Sequence, residues 1–288
     1  MLKFGRNIKR AKKIIRVYFK KISPSCIYNQ IIYTIIKNKF LNSYCRNKLQ
    51  NNNYKNINNI KEYKISSQNY EDGIINSLIL NIKKKNNSFF EIGVDYYEFN
   101  SLQLIKNRYS GLVVDFDQEK VENLNIIKNK FNLKKIKILK KKISPKNINT
   151  IYQKNFSSEI DFFSIDIDST DFYVLKSIRF IPKIICVEFN PYLTEFGSVV
   201  VKYKKNNFDN SNYYYGASLN AYIKLLKKRG YKLVAIDSNN INAFFINPKK
   251  FINKFKELDI SNNKNLNKFL KKSKEIIRNI DVNRYIKY

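Results

Sequence analysis

Between residues 72 and 247 the apolar positions fall into two alternating kinds of stretch. One kind is a short continuous apolar run: SFFEIG (88–93), GLVVD (111–115), a weaker run at 136–139, IDFFSID (160–166), KIICVE (183–188), and the segments 231–236 and 242–246. Each is bounded by Gly, Asn, Asp or Ser and is short, which predicts seven strands. In the other kind, apolar residues recur every third or fourth position, at 72–82, 99–106, onward from 115 to about 131, 147–153, 172–177 and 217–228, the last ending at Gly230. These predict helices. Apolar runs without alternation imply strands covered on both faces, and strand–helix alternation implies a largely parallel sheet. The expected architecture is a three-layer α/β sandwich. A short Asp-Ser-Asn-Asn turn between the final two strands makes them antiparallel neighbours.

The two ends follow other patterns. Ile8, Ala11, Ile15 and Tyr18 recur at helical spacing among Lys9, Lys12, Lys13, Arg16 and Lys20, and Pro24 should stop that helix. A basic amphipathic helix either lies on an anionic membrane or docks on the domain with its lysines solvated, the simpler reading. Residues 50–59 are Asn-rich without periodicity and read as a linker. The chain therefore divides into a basic, mostly helical extension (1–64), an α/β domain (65–247) and a basic helical tail (248–288). That tail carries Leu266, Phe269, Leu270, Ile276, Ile277 and Ile280. The least charged early stretch, 22–36, is too short and too polar to span a bilayer.

Charge changes the picture less than its size suggests. Among 288 residues, 55 are Lys or Arg and 23 are Asp or Glu, a formal net charge of +32. A polyanionic partner is one reading, and contact with an anionic membrane stays open. Nucleic acid is the weaker partner, because no nucleic-acid motif is present and Lys greatly outnumbers Arg. Heavy use of Lys, Asn, Ile, Tyr and Phe is also what an AT-rich coding sequence produces. Histidine is absent, and Cys26, Cys45 and Cys186 form no CxxC pair. That excludes Cys/His zinc sites, imidazole bases and Ser-His-Asp triads. The cysteine pattern fits a reducing cytoplasm.

The few acids gather at predicted strand ends. Asp95 follows the first strand, Asp115 and Asp117 close the second, Asp166 and Asp168 the fourth, Glu188 with Asn190 the fifth, and Asp237 the sixth. In a parallel sheet these converge on one rim, where such folds bind ligands. A carboxylate ending the second strand is suited to accept both hydroxyls of a ribose. The plainer reading is that Asp ends strands and caps helices; the joint pattern favours a ligand site. Asp-x-Asp followed by Glu-x-Asn also supplies hard oxygen ligands for magnesium or calcium. A divalent metal is the less favoured version, since Asp168 equally serves to cap the helix beginning near residue 171.

Seven ordered segments carry a family resemblance: Glu71-Asp72-Gly73, FFEIG (89–93), GLVVDFDQEKV (111–121), ISPKNIN (143–149), DFFSIDIDSTDFYVLKSI (161–178), VEFNP (187–191) and NAFFI (242–246). Together they resemble FkbM-like class I S-adenosylmethionine-dependent methyltransferases. The resemblance implies a Rossmann-like methyltransferase fold with an antiparallel last strand. It also implies methyl transfer from S-adenosylmethionine, usually to an oxygen of a glycan or small metabolite. Glu91 and Gly93 would face the methionine part and Asp115 the ribose, with Asp95 and Asp117 beside them. Asp166 and Asp168 would sit next to cofactor and acceptor as the candidate bases, and Glu188 and Asn190 would line the acceptor side. The sequence departs from the family in its loop Gly93-Val94-Asp95-Tyr96-Tyr97-Glu98, which has one glycine, and in Lys140-Lys141-Lys142, which offers no acid to adenine. Two alternatives follow: a non-catalytic descendant of the fold, and a basic nucleic-acid or membrane-surface module. The polar segment 192–215 is either a lid or acceptor site, with Tyr213, Tyr214 and Tyr215 as stacking faces, or an ordinary surface loop.

Overall fold

A computed structural model describes residues 50–55, 58–95, 98–167, 169–203 and 213–288. The helix expected before Pro24, the pair Tyr96 and Tyr97, and Asp168 lie outside the described residues, as does the middle of the 192–215 segment. Among the described residues, no helix is long and apolar enough to cross a membrane.

The described residues open with a hairpin of β1 (Gln50–Lys55) and β2 (Lys61–Lys64). There follow α1 (Glu71–Leu80), β3 (Ser88–Ile92), α2 (Leu102–Lys106), β4 (Ser110–Asp115), α3 (Gln118–Lys130), β5 (Ile136–Lys140), α4 (Ile148–Asn155), β6 (Phe162–Ile165), α5 (Asp171–Ser177) and β7 (Ile184–Glu188). After β8 (Val199–Val201) come α6 (Leu219–Lys227), β9 (Lys232–Ile236) and β10 (Asn242–Ile246), then α7 (Lys264–Lys272), α8 (Lys274–Arg278) and β11 (Tyr285–Lys287).

Seven strands form one sheet in the order β5-β4-β3-β6-β7-β10-β9. The first five pair in parallel, and β10 runs antiparallel to both β7 and β9. This is the Rossmann-like methyltransferase arrangement that the sequence predicts. Side chains of each strand alternate between two cores. Phe89, Val113, Phe162 and Phe244 face a layer made by α1, α2 and α3. Phe90, Val114, Phe163 and Phe245 face α4, α5, α6 and the tail helices. The paired phenylalanines of SFFEI and IDFFSI therefore feed one ring to each layer, as the non-alternating runs require.

Three features differ from the reading of the sequence. The Asn-rich stretch 50–55 is a strand paired with β2 rather than a linker, because ladder hydrogen bonds come from the backbone and need no apolar alternation. The tail is not helical throughout, since its last residues form β11 against β8, with Tyr285 opposite Val201. Finally, α2 starts at Leu102 instead of 99, because the Glu91 carboxylate holds the Asn100 and Ser101 amides just before it.

Candidate functional site

The carboxyl ends of β3, β4, β6 and β7 form a contiguous rim, and the structure brings most of the predicted acids to it. Gly93 ends β3 with φ of 76°, donating its N–H to the Val114 carbonyl at 2.9 Å. That left-handed conformation suits glycine. A side chain there is also excluded by space, because a Cβ would stand 1.6 Å from the Asp166 carbonyl oxygen.

One strand over, Asp115 is 5% exposed and held by two backbone amides. Val94 N–H donates to its Oδ2 at 3.1 Å and Asp117 N–H to its Oδ1 at 2.8 Å. The Lys120 ammonium lies 3.7 Å from Oδ2. A carboxylate has about four lone-pair sites, so Asp115 keeps acceptor capacity for further hydroxyls. Asp117 is exposed and caps α3 by accepting from the Lys120 N–H at 3.1 Å. Between them Phe116 is 65% exposed, a bare ring beside a buried carboxylate that the sequence reading did not single out. Asp95 is half-buried on the same loop.

Glu91 points into the α1–α2 layer. Its carboxylate accepts from the Asn100 N–H at 2.8 Å, from the Ser101 N–H at 2.8 Å and from the Ser101 hydroxyl. Burial pushes its pKa up to about 7; the Ser101 and Asn100 hydrogen bonds oppose the rise and the Asp166 charge adds to it. Glu91 therefore anchors the loop that follows Gly93.

Asp166 and Glu188 close β6 and β7 and share a hydrogen bond. Asp166 is open to solvent on one side while protein surrounds it on the others. Desolvation raises its pKa; the Glu188 hydrogen bond and the Lys120 charge pull it back, and the Asp115 charge pushes it further up. Two adjacent carboxylates repel each other, which favours the protonated form of one of them. Two tyrosines face this pair. Burial and the Glu188 charge drive the Tyr215 hydroxyl far above its ordinary pKa, so it stays protonated. Tyr222 on α6 is fully buried, its hydroxyl has no hydrogen-bond partner among the described residues, and Asp171, Glu188 and Asp166 all raise its pKa after burial.

Asn190, predicted on the acceptor side, is fully buried and engaged with the backbone. Its amide donates to the Tyr213 and Tyr215 carbonyls at 2.9 and 3.1 Å, and its Oδ1 accepts from the Tyr192 N–H at 3.1 Å. It fixes the tyrosine run instead of facing the cleft. Tyr213 packs on Tyr192 at 4.7 Å, and Tyr214 lies under the Arg284 guanidinium at 4.0 Å. Asp237 stands apart from the Asp115–Asp166 cleft. With Glu62 and Glu71 it forms a second, buried acidic group beneath the hairpin. Among the described residues, no group of three His, Cys, Asp or Glu is placed to hold a metal ion.

No protein-family model matches the chain, and no curated protein matches it. Several solved structures are similar to it in part. The N-terminal domain of EvdMO1, determined in the presence of SAH and D-fucose, is 9% identical over 76% of this chain and 95% of that one, with a TM-score of 0.45. TrmK of M. capricolum, in complex with S-adenosyl-homocysteine, is 14% identical over 72% and 87%, with a TM-score of 0.38. A SAM-dependent methyltransferase from Aquifex aeolicus is 14% identical over 56% and 83%, with a TM-score of 0.34. At these identities the likeness concerns the fold alone.

Proposed function

We propose that this chain transfers a methyl group from S-adenosylmethionine to an oxygen of a glycan or small-metabolite acceptor. The observation that carries this reading is Asp115. It is a buried carboxylate at the carboxyl end of β4, held by the Val94 and Asp117 amides with acceptor capacity to spare, one strand from the tight Gly93–Asp166 contact. Those are the features a ribose site needs in a dinucleotide-type sheet. Phe116, exposed next to it, offers an apolar face to a base. S-Adenosylmethionine, when bound, supplies an electrophilic methyl group on a sulfonium.

The chain's own part is alignment and proton handling. Asp115 orients the ribose; Gly93 lets the β3 backbone approach closely; Glu91 keeps the intervening loop in place. Holding acceptor and methyl in line contributes several kcal/mol to the rate. With histidine absent, the Asp166–Glu188 pair is the proton acceptor. Its ionised carboxylate oxygen takes the proton of the acceptor hydroxyl as that oxygen becomes the nucleophile. Tyr215, held protonated, supplies no base chemistry.

Calorimetric titration of the whole chain with S-adenosylmethionine tests this. Saturable binding is expected, and Asp115→Ala should abolish it; freeing the Val94 and Asp117 amides costs about 1–3 kcal/mol, so the thermal unfolding midpoint falls while the chain stays folded. A protein that stays folded yet binds nothing at millimolar ligand sinks the proposal and favours a non-catalytic descendant of the fold.

A further inference from the structure

The exposed face of α7 carries charge that no carboxylate among the described residues pairs with. Lys264, Lys268, Lys271 and Lys272 follow at i, i+4, i+7 and i+8, which places them along one side of the helix. All four are exposed. Among the described residues, no carboxylate comes within ion-pair distance of their ammonium groups. Together with Asn267 they border a shallow, open hollow between the lysine side chains. Asn267 is tied by its amide to the Ser261 carbonyl at 2.8 Å, so one polar wall of the hollow is fixed.

The opposite side of α7 explains why this face stays outward. Leu266 and Leu270 are buried in the main core. Phe269 packs on Tyr192 at 5.2 Å, and Tyr192 packs on Tyr213 at 4.7 Å. Tyr213 in turn belongs to the run that Asn190 holds against the end of β7. The helix that bears the lysines is therefore packed, through its other face, against the tyrosine run at the end of β7.

We infer that this hollow anchors the anionic sugar residues of the acceptor glycan, chain segments bearing carboxylate or sulfate groups. The inference rests on the glycan reading above and names the class of chain. Four ammonium point charges around a concavity complement spaced anions, and a fixed amide suits ring hydroxyls. Other polyanions fit less well. The lining holds no aromatic ring on which a nucleic-acid base could stack and no arginine fork for phosphate. It also presents no apolar side chain to enter a bilayer.

Net charge alone would make the chain bind polyanions, so the test compares two variants of equal charge. One replaces Lys264, Lys268, Lys271 and Lys272 by Gln. The other replaces Lys84, Lys85, Lys134 and Lys137, exposed residues before or within β3 and β5, by Gln. Labelled oligogalacturonate, an unrelated duplex DNA and phosphatidylserine-containing vesicles are titrated against the full chain at physiological salt. The α7 variant is expected to bind oligogalacturonate about tenfold more weakly, and the control variant within about twofold of the unaltered chain, while duplex DNA and vesicles weaken alike for both. Equal loss of oligogalacturonate in both variants overturns the proposal. So does discrimination by DNA or vesicles, which would assign the face to that polyanion instead. If the α7 variant does not fold, acylation of the unaltered chain decides: oligogalacturonate must protect the four α7 lysines and leave Lys84 and Lys85 reactive. The S-adenosylmethionine titration reads the methyltransferase proposal independently, so either can fail without the other.

Discussion

The Gly93 backbone lies against the Asp166 carbonyl so closely that a single methyl group on its Cα would stand 1.6 Å from that oxygen. The ends of β3 and β6, and with them Asp115 and the Asp166–Glu188 pair, are held in register by this contact and by the Asp166 N–H to Ile92 carbonyl bond of 2.9 Å. Gly93→Ala must both occupy a left-handed conformation and displace the β6 end. The backbone conformation alone costs about 1–3 kcal/mol, and the clash adds to it. Thermal unfolding should show a lowered midpoint and cofactor titration a weakened affinity. An alanine variant as stable and as tightly binding as the parent would mean that the rim yields freely.

Asp166 and Glu188 make a kinetic prediction. A carboxyl raised by desolvation must ionise before it can accept a proton, so turnover should rise with pH through a limb displaced above the ordinary carboxylate range. Asp166→Asn should lose that turnover and keep S-adenosylmethionine binding, since Asp115 is untouched. Methyl incorporation with a limb at the ordinary carboxylate pKa, or undiminished in the variant, would remove the pair from the reaction.

Buried acids elsewhere on the rim shape stability against pH. Burial raises the pKa of Glu91 to about 7. Burial also raises Glu71 and Asp237; the Asp72 charge adds to the first shift, and the Glu71 and Glu62 charges add to the second. Folded-state pKa values above the unfolded ones mean that the folded chain binds more protons in between. Stability from these groups is then fully present below about pH 4, the unfolded range, and falls as pH rises through the folded values. Unfolding free energy should therefore decline from about pH 4.5 toward 7, the window of Glu91, and further above it. Glu71→Gln should flatten part of the slope while losing one of two hydrogen bonds, those from Asn69 N–H and Asn242 Nδ2, at about 1 kcal/mol. A stability profile that rises across this window would contradict the assignment.

At the amino ends of β6 and β7, Lys183 and Asp161 form a buried ion pair of 2.6 Å. Asp161 also accepts from the Asn86 and Asn87 amides, and the Lys183 ammonium reaches the Lys84 carbonyl at 2.6 Å. Lys183→Met leaves a buried carboxylate without its counter-charge, at a cost of about 3–5 kcal/mol. Denaturant unfolding should show that loss. A change under about 1 kcal/mol would indicate that water reaches Asp161.

How far the fold was legible can be read from particular segments. SFFEI, GLVVD, DFFSI and IICVE are apolar on both faces, so only a strand covered by helices on each side suits them. The structure places all four at the centre of the sheet. The carboxylates were legible because they sit one residue past such runs, where a parallel sheet must gather them. Asn190 and Asp237 share that position in the sequence and do other work: Asn190 turns inward to backbone carbonyls, and Asp237 folds back onto the β9–β10 turn. Nothing local separates them from Asp115 or Glu188, because the difference lies in which backbone groups each side chain meets.

The sequence by itself determined what periodicity and composition can encode: seven strands and their helices, a three-layer sandwich, a strand-end rim of acids, and chemistry without histidine. Tertiary structure alone decided the pairing of 50–55 with β2, the β8–β11 ladder, and the neighbours of each carboxyl. The physical reason is range. Propensity and pattern act between residues a few positions apart, whereas ladder partners and desolvation depend on groups brought together from distant parts of the chain. Asp166 meets Glu188, Glu71 meets Asp237, and Phe269 meets Tyr192 only once the sheet has closed.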